Sequence, residues 1–511
     1  MRAFQSSPCS PAGHFRKTAV LFAVQLLFLA CAGVLHVLGS ETLNYNAIVF
    51  GNLCLYACIM VFCASDLRSR LVLLLFSLIV FVFLSCQPLI DCFIGTPWWE
   101  KHGREDILFA LRSAALSLLM IYLGAMLYAL TRRKAGGPAR LAAADRSGRS
   151  VSDRPALQMA ALCLYAVSMG CFLYGEVDKL LFMRGRLYQE YYLSYDAAYP
   201  FWIRTAGYCM PYALCAFLAT LPKKKAAFPA LALYLLSAVP VLTFGQRNPI
   251  VLNALFIFLY YCIRDYLGDK KRWLGRWEVG AILVLIPLAF IGLSAINYLR
   301  GGSATGDKVV VNLIVDLFHK QGVSFQTLCV GHAALPNLPG AKRNFTFGPF
   351  IDQVLYSRIG LLLFGTDPLP IGNSVELAAR SHRLADPLAF VAHPDYLKGN
   401  GLGSSYLLEL FADYGYIGIA IYSLLLGVFL LWCMDAMKKG WFVKTLTLVC
   451  FTDLFYIPRA AATGWLVFLI QIHFWFVILA CLLGEKILGR LFPRLRARQA
   501  ISGDRLRPER R

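Results

Sequence analysis

Long apolar runs separated by short polar segments dominate the chain. Nine runs are long enough to cross a hydrocarbon core of ~30 Å as helices, at 18–38, 46–64, 71–90, 108–130, 156–175, 200–221, 278–298, 416–434 and 464–484. Three shorter runs are predicted to be spans as well, at 226–243, 250–263 and 441–457. The pattern predicts an all-α polytopic membrane protein with about twelve transmembrane helices.

Composition indicates the same class. Hydrophobic residues make up 58% of the 511 residues and charged residues only 15%, whereas about a quarter of a soluble protein is charged. The 16 cysteines lie mostly in apolar runs without CxxC or zinc-like spacing, so we expect small buried side chains and no metal site. The run 18–38 is too long for a signal peptide and is predicted to be an uncleaved first helix.

The distribution of positive charge predicts the topology. With the N-terminus inside, the inner segments contain 32 Lys and Arg residues, namely 1–17, 65–70, 131–155, 222–225, 264–277, 435–444 and 485–511. The outer segments contain 7 when the long loop 299–415 is left out, as the positive-inside rule prescribes for long loops. Both termini are therefore predicted to be cytoplasmic, and the net charge of +21 belongs to membrane topology and not to nucleic-acid binding.

The predicted spans divide the chain into four parts. Residues 1–298 contain spans one to nine, interrupted by the basic cytoplasmic linker 131–155. The large outer loop covers 299–415, residues 416–484 contain spans ten to twelve, and 485–511 form a basic cytoplasmic tail. Since loops beyond ~12–15 residues are usually functional when they belong to compact proteins, the outer loop is the first place to look for a site.

Two stretches of the outer loop are predicted to be amphipathic or half-buried helices, "VVVNLIVDLF" at 309–318 and "GPFIDQVLYSRIGLLLFG" at 348–365. A helix over 309–320 would place His319 on one face with Asp316 and Lys320. The loop ends at a helix predicted to run without interruption over 405–434, about 45 Å at 1.5 Å per residue. Its first turns would stand above the membrane with Glu409, which has no evident local structural partner and is therefore a candidate base.

An arginine interrupts the apolar stretch 226–263 at "FGQRNP", residues 244–249. The two arms are shorter than a full span, so Arg247 is predicted to lie at or slightly below the outer surface. An arginine in this position either extends to the lipid headgroups or binds a phosphate group in bidentate fashion.

Four separated blocks resemble the Wzy family of O-antigen and capsular repeat-unit polymerases: "FGQRNPIVLNALFIFLYYCIRD", "HKQGVSFQTL", "NFTFGPFID" and "GLGSSYLLELFADYGYIGIAIYSLLLG". The resemblance implies a GT-C-like glycosyltransferase of the bacterial inner membrane that needs no metal or cofactor. It would join undecaprenyl-diphosphate-linked glycan repeat units on the periplasmic face into O-antigen, capsule or exopolysaccharide. A Wzz-like chain-length regulator is the protein partner that the family implies.

The resemblance also implies roles for individual residues. Arg247 matches a position at which related enzymes hold the lipid diphosphate, and Arg300 and Arg358 are assigned to the same role from their placement. Fixed cations stabilise the negative charge that develops on a diphosphate leaving group, while a base activates the attacking sugar hydroxyl. Glu409 is the first candidate for this base, and the two further candidates are His319 and Asp352.

Two other functions remain open at this stage. An O-antigen ligase would use the same lipid-linked donor with a lipid A core acceptor. A flippase or transporter of the lipid-linked unit would instead show polar residues along many spans and two similar halves. The charges of this chain are concentrated on one face and in one loop, which disfavours transport and also a purely structural scaffold.

Overall fold

The computed structural model describes residues 11–134, 154–186, 188–244, 248–269, 272–276, 278–280, 310–340 and 343–492. The described residues form α-helices and short 3₁₀ turns and contain no β-strand. They belong to two compact units. Unit 1 comprises Met1–Ala129, Ile314–Ala333 and Leu410–Met434, and unit 2 comprises Leu130–Leu313, Ala334–Glu409 and Asp435–Arg511, in each case as far as the structure describes them.

Twenty α-helices are numbered here in chain order within the described ranges. The first eleven are α1 (Pro11–Thr42), α2 (Tyr45–Ala64), α3 (Leu71–Leu84), α4 (Cys86–Ile94), α5 (Arg104–Lys134), α6 (Pro155–Met183), α7 (Tyr188–Ser194), α8 (Phe201–Tyr208), α9 (Met210–Ala219), α10 (Lys224–Leu236) and α11 (Asn248–Tyr266). The others are α12 (Val310–Gln321), α13 (Val323–Ala334), α14 (Gly348–Leu355), α15 (Arg358–Phe364), α16 (Val375–Arg380), α17 (Ala385–Ala392), α18 (Tyr406–Ala436), α19 (Trp441–Asp453) and α20 (Ile472–Leu491).

The helices confirm an all-helical, multi-pass membrane protein. Nine of the described helices are long and apolar enough to cross a bilayer, and the bent pair α3–α4 would make a tenth. The predicted span 200–221 consists of two helices, α8 and α9, that meet at Cys209. The predicted span 278–298 lies outside the described residues beyond Gly280, so the total of twelve stays a prediction.

Unit 1 is held together by close contact between α5 and α18. A Cβ atom on Gly124 would overlap the backbone oxygen of Leu424, and one on Gly427 would overlap the backbone oxygen of Ile121. Beside these glycines the hydroxyls of Ser117 and Ser423 share a buried hydrogen bond of 2.8 Å. Small residues let helix backbones approach closely where lipid provides no hydrophobic drive for packing.

Unit 2 is organised around α9, which is apolar on every side. Its residues from Ala213 to Ala219 are all buried, as expected for a helix at the centre of a bundle. The helix packs against α6, α19 and α20. The hydroxyl of Tyr260 on α11 donates a hydrogen bond of 3.0 Å to the carbonyl of Leu218, which ties a further helix to this centre.

The predicted continuous helix over 405–434 is wrong at one position. Gly415 has φ 62° and ψ −156°, so α18 is kinked there. Positive φ values of this kind are readily adopted only by glycine, because it has no Cβ atom. The hydrophobic pattern of the helix continues through Gly415, so it gave no sign of the break.

The side-chain pairs of each unit agree with the predicted grouping of the connecting segments. In unit 1, loop segments predicted to be outside pair with one another through Asp91–His319 and Asp106–His332. In unit 2, segments predicted to be inside pair through Arg154–Glu485, and Lys224 of an inner segment pairs with Glu278, the first residue of the predicted span 278–298. An error of one span between two such segments would have placed the partners on opposite sides of a bilayer.

The packing of α5 against α18 gives the first prediction. Gly427→Ala should destabilise the protein by about 1–3 kcal/mol, because the added methyl group forces two backbones apart. Thermal unfolding of the purified protein in detergent measures the effect. The matched control is Gly33→Ala on α1, where a Cβ atom has open space around it and alanine favours the helix. Equal unfolding temperatures for the two variants would contradict the packing described here.

Candidate functional site

The six residues nominated from the sequence fall into three groups. Arg247 and Arg300 lie outside the described residues. His319 belongs to unit 1, and Arg358, Asp352 and Glu409 belong to unit 2.

Asp352 is a buried carboxylate on α14, with only 4% of its surface exposed. Helix α14 lies close to the following loop because it begins at Gly348, where a Cβ atom would overlap the backbone oxygen of His382. The Oδ1 atom of Asp352 accepts a hydrogen bond of 3.1 Å from the backbone N–H of His382. The same oxygen lies 2.9 Å from Nδ1 of the His382 ring.

This contact determines how the His382 ring is presented. An ionised carboxylate only accepts hydrogen bonds, so Nδ1 is the ring nitrogen that donates to it, and in the neutral imidazole Nε2 then has the lone pair. The side chain of His382 is 20% exposed, and among the described residues Nε2 has no hydrogen-bond partner. A buried carboxylate that orients a partly exposed imidazole is the arrangement that makes a histidine a general base.

Neighbouring side chains complete the surroundings of Asp352. Ser381 Oγ lies 2.6 Å from Asp386 Oδ2 and 3.3 Å from Asp352 Oδ2. Its single hydroxyl proton makes the stronger hydrogen bond with the nearer carboxylate, that of Asp386. Burial raises the pKa of Asp386. Arg343 donates to the carbonyls of Ala378, Ser381 and Pro339, so its guanidinium fixes the backbone of this loop.

Three exposed or partly exposed arginines belong to the same helical segment. Arg383 Nε lies 3.6 Å from Asp352 Oδ2, and 60% of its side chain is exposed. Arg380 is paired with Glu376 at 2.6 Å and lies over the ring of Tyr356, whose ring is 6.5 Å from that of His382. Arg358 follows two residues after Tyr356. The segment from α14 to α17 therefore combines a histidine–carboxylate pair with several cations.

Arg358 stands at the start of an exposed apolar helix. Its guanidinium carbon is 3.4 Å from the ring centroid of Phe201, which is a close cation–π contact. Ser357 caps the helix by accepting a hydrogen bond from Gly360 N. The helix then exposes four large apolar side chains, Ile359, Leu362, Leu363 and Phe364. A cation beside an apolar surface suits a phosphate group that is attached to a lipid chain.

Glu409 has a structural contact that the sequence did not reveal. The side chain is fully buried, and its Oε1 accepts a hydrogen bond of 2.9 Å from Ser404 Oγ. Its Oε2 accepts one of 2.8 Å from the backbone N–H of Ala462. The premise that Glu409 lacks a structural partner is therefore wrong, since a donor 53 residues away in the chain supplies one.

His319 pairs with a carboxylate of another helix. Helix α12 forms as predicted, and on it Lys320 Nζ lies 2.9 Å from Asp316 Oδ2. The Nε2 atom of His319 instead lies 2.8 Å from Asp91 Oδ1. A second pair of this kind joins His332 Nδ1 to Asp106 Oδ1 at 2.6 Å.

Sequence reasoning missed two residues of this chemistry, His382 and Asp91. A histidine between arginines in "RSHR" at 380–383 and a carboxylate at the end of an apolar run in "QPLIDCF" at 87–93 were the available signals. Neither signal shows which partner the side chain meets. Within the described residues, no group of three or more His, Cys, Asp and Glu side chains is placed to hold a metal ion.

Comparison with known proteins places the chain in a family. A search of curated proteins and a search of solved structures gave no match. The family model described as O-antigen polysaccharide polymerase Wzy matches residues 18–490, which is nearly the whole chain and covers all or most of every described helix of both units. The chain therefore belongs to the Wzy family of O-antigen polysaccharide polymerases.

Proposed function

We propose that this protein polymerises lipid-linked glycan repeat units on the periplasmic face of a bacterial inner membrane. The acceptor would be a new repeat unit on undecaprenyl diphosphate, and the donor the growing chain on the same lipid. The observation that carries the proposal is the Asp352–His382 pair within a segment that also contains Arg358, Arg380 and Arg383. It combines a base for a sugar hydroxyl with cations for a diphosphate.

The reaction has a simple balance of bonds and protons. An oxygen of the acceptor sugar attacks the anomeric carbon of the donor glycan, and the bond from that carbon to the phosphate oxygen breaks. The hydroxyl proton passes to Nε2 of His382, while the lipid diphosphate leaves with the bonding electron pair. Asp352 keeps the imidazole oriented and stabilises the imidazolium that forms, the role that a buried carboxylate has beside a catalytic histidine.

The leaving diphosphate requires cations. Developing negative charge on its oxygens is stabilised by cationic donors that are already in place, and arginine matches phosphate geometry with two parallel hydrogen bonds. We assign this role to Arg358, whose apolar neighbours on α15 suit the attached lipid, together with Arg247 and Arg300. Neither of those two lies in the described part of the chain, so their assignment rests on the sequence.

We place the base at His382 in preference to Glu409 and His319. Both oxygens of Glu409 already accept hydrogen bonds, and the side chain is fully buried, so a sugar hydroxyl has no open path to it. His319 also faces a carboxylate, that of Asp91, but its helix α12 contains no arginine, whereas the helical segment of His382 contains three. Asp352 keeps a place in the site, as the residue that positions His382.

The orientation of the protein in the membrane is inferred from the charge count, which puts both termini in the cytoplasm. The outer loop then lies in the periplasm, where a chain-length regulator of the Wzz type is the expected partner. Among the remaining candidates, a ligase would share the donor site. Family membership favours the polymerase over the ligase, and the concentration of polar residues in one loop disfavours the flippase.

Deletion of the gene tests the function itself. We expect the surface lipopolysaccharide ladder to be replaced by lipid A core with a single repeat unit, because flipping and ligation still work without a polymerase. Gel electrophoresis of surface glycan, with complementation by the intact gene, measures this. A complete absence of repeat units on the core would instead indicate a flippase or ligase.

Substitutions at the two candidate bases separate their roles. His382→Ala and Asp352→Asn should each lower polymerisation by about 10²–10⁴-fold, the usual contribution of an oriented general base. Glu409→Gln should keep near-normal turnover, since the amide oxygen can still accept from Ala462 N while the amide nitrogen donates to Ser404 Oγ. Elongation of lipid-linked repeat units by purified protein in nanodiscs is the measurement.

The matched control for His382 is His393→Ala in the same loop, where the ring accepts a hydrogen bond from Asp395 N. This variant should elongate glycan at the normal rate. An inactive but folded Glu409→Gln protein, beside an active His382→Ala protein, would return the base to Glu409.

Arg358 is tested by removing its charge. Arg358→Gln should lower turnover by about one to two orders of magnitude, because one cationic donor to the leaving group is lost. Arg358→Lys should be intermediate, since lysine keeps the charge without the bidentate geometry. Lys398→Gln removes another exposed cation of the same loop and should have little effect. Equal turnover of the Arg358→Gln and Lys398→Gln proteins would remove Arg358 from the site.

A further inference from the structure

A bend in unit 1 places two polar side chains among apolar helices. Helices α3 and α4 are bent by 53° at a break of one residue, Ser85. Gln87 and Asp91 are four residues apart on α4, so they lie on the same face of it. Only 4% and 7% of their surfaces are exposed. Polar groups that are buried in this way need hydrogen-bond partners.

The two side chains open into a small recess. Its lining includes Gln87, Asp91, Trp98, His102, Phe325 and Gln326, and its volume is about 10 Å³. This is close to the smallest volume that accepts a group of the size of a water molecule. The recess therefore has room for one hydroxyl group of a larger ligand and not for a whole sugar ring.

The outer-loop helices α12 and α13 close one side of this recess. Gly322, between these two helices, approaches α4 so closely that a Cβ atom on it would overlap Gln87. His319 on α12 pairs with Asp91 at 2.8 Å and so fixes one oxygen of that carboxylate. Phe325 on α13 packs edge-on against Trp98, with ring centroids 5.6 Å apart. These contacts hold the lining in place before any ligand arrives.

The side chain of Gln87 has a buried polar atom that a ligand group can satisfy. Its Oε1 atom is buried and accepts no hydrogen bond from any residue in the described part of the chain. Leaving such an atom unsatisfied is unfavourable, because it loses its hydrogen bonds to water without gaining others. A hydroxyl group satisfies it in either orientation of the amide, because a hydroxyl both donates and accepts.

The charges around the recess favour a neutral ligand. Among the described residues that line it, none is lysine or arginine, and Asp91 would repel a phosphate. Burial lowers the pKa of His102, so its ring is neutral at pH 7 and offers one donor and one acceptor. A carboxylate, amides, an imidazole and aromatic rings together suit the hydroxyl groups and C–H faces of a carbohydrate.

We propose that this recess is a carbohydrate subsite that binds one hydroxyl group of the lipid-linked glycan through Gln87 and Asp91. The proposal rests on the proposed polymerase function and adds to it a glycan-binding element made of different residues from the Asp352–His382 site. Loop 95–103, which forms part of the lining, is predicted to face the periplasm, the side on which the glycan would lie.

Glycan affinity tests the subsite directly. The probe is the lipid-free repeat-unit oligosaccharide, released by mild acid from the lipid-linked pool of a strain that lacks this gene. Its binding to the full-length protein in nanodiscs is measured by calorimetry. Gln87→Leu should weaken binding by about tenfold, the loss of roughly one hydrogen bond to a buried group. Gln326→Ala, a milder change at a half-buried position, should weaken it by severalfold.

The control is Gln158→Leu on α6, the same change at a half-buried glutamine that does not line the recess. All three variants should unfold at temperatures close to that of the wild type. For the lipid-linked repeat unit, Gln87→Leu should raise KM with little change in kcat, because the subsite binds glycan without taking part in the bond change.

The outcomes separate the subsite from the polymerase function. A wild-type protein that elongates glycan, with unchanged probe affinity and KM in both recess variants, would overturn the subsite and leave the polymerase standing. A recess that holds only a water molecule would give this same result. A wild-type protein that binds the probe in a Gln87-dependent way but elongates nothing would support the subsite and overturn the polymerase.

Discussion

The arrangement of the outer loop in unit 2 depends on the hydrogen bonds to the buried carboxylate of Glu409. This carboxylate accepts hydrogen bonds from Ser404, just before α18, and from Ala462, in the connection that follows α19. The next residue, Thr463, donates a hydrogen bond of 2.6 Å to the carbonyl of Thr346. Thr346 stands two residues before α14, the helix of Asp352. A buried carboxylate without partners would be costly, so these segments have to assemble together.

The helices of the outer loop depend on such polar contacts because they are short. Helices α14 to α17 have six to eight residues each, too few to be stable by themselves. Side chains that bind backbone carbonyls replace the missing stability. Arg343 binds three carbonyls around Ser381, and the amide of Asn373 donates to the carbonyls of Tyr396 and Asn400 at 2.8 Å each. The His382 ring is therefore presented by a polar framework that most of the loop helps to form.

The sequence predicted those features that depend on local pattern. Apolar runs long enough to cross a bilayer gave most of the spans, and amphipathic stretches gave α12, α14 and α15, because hydrophobic periodicity follows from helix geometry alone. Polar partners escaped prediction because they are distant in the chain. Asp91 and His319 are 228 residues apart, and Ala462 is 53 residues from Glu409. The kink at Gly415 was not predicted because a glycine within an apolar run is compatible both with a straight helix and with a kinked one.

A lipid-linked glycan has an anionic end and a neutral end, and the described residues offer surroundings for each. The segment from α14 to α17 combines Arg358, Arg380 and Arg383 with an oriented imidazole, while the recess beside α4 offers amides, aromatic rings and a carboxylate. Phosphate would be repelled by Asp91, and a neutral sugar gains little from exposed guanidinium groups. A protein that bound free phosphate or a simple lipid headgroup would need only the cations. Each of the two surroundings suits one part of the substrate that we propose, in which diphosphate and sugar are joined. Breaking the bond between these parts calls for a base, the role proposed for the Asp352–His382 pair.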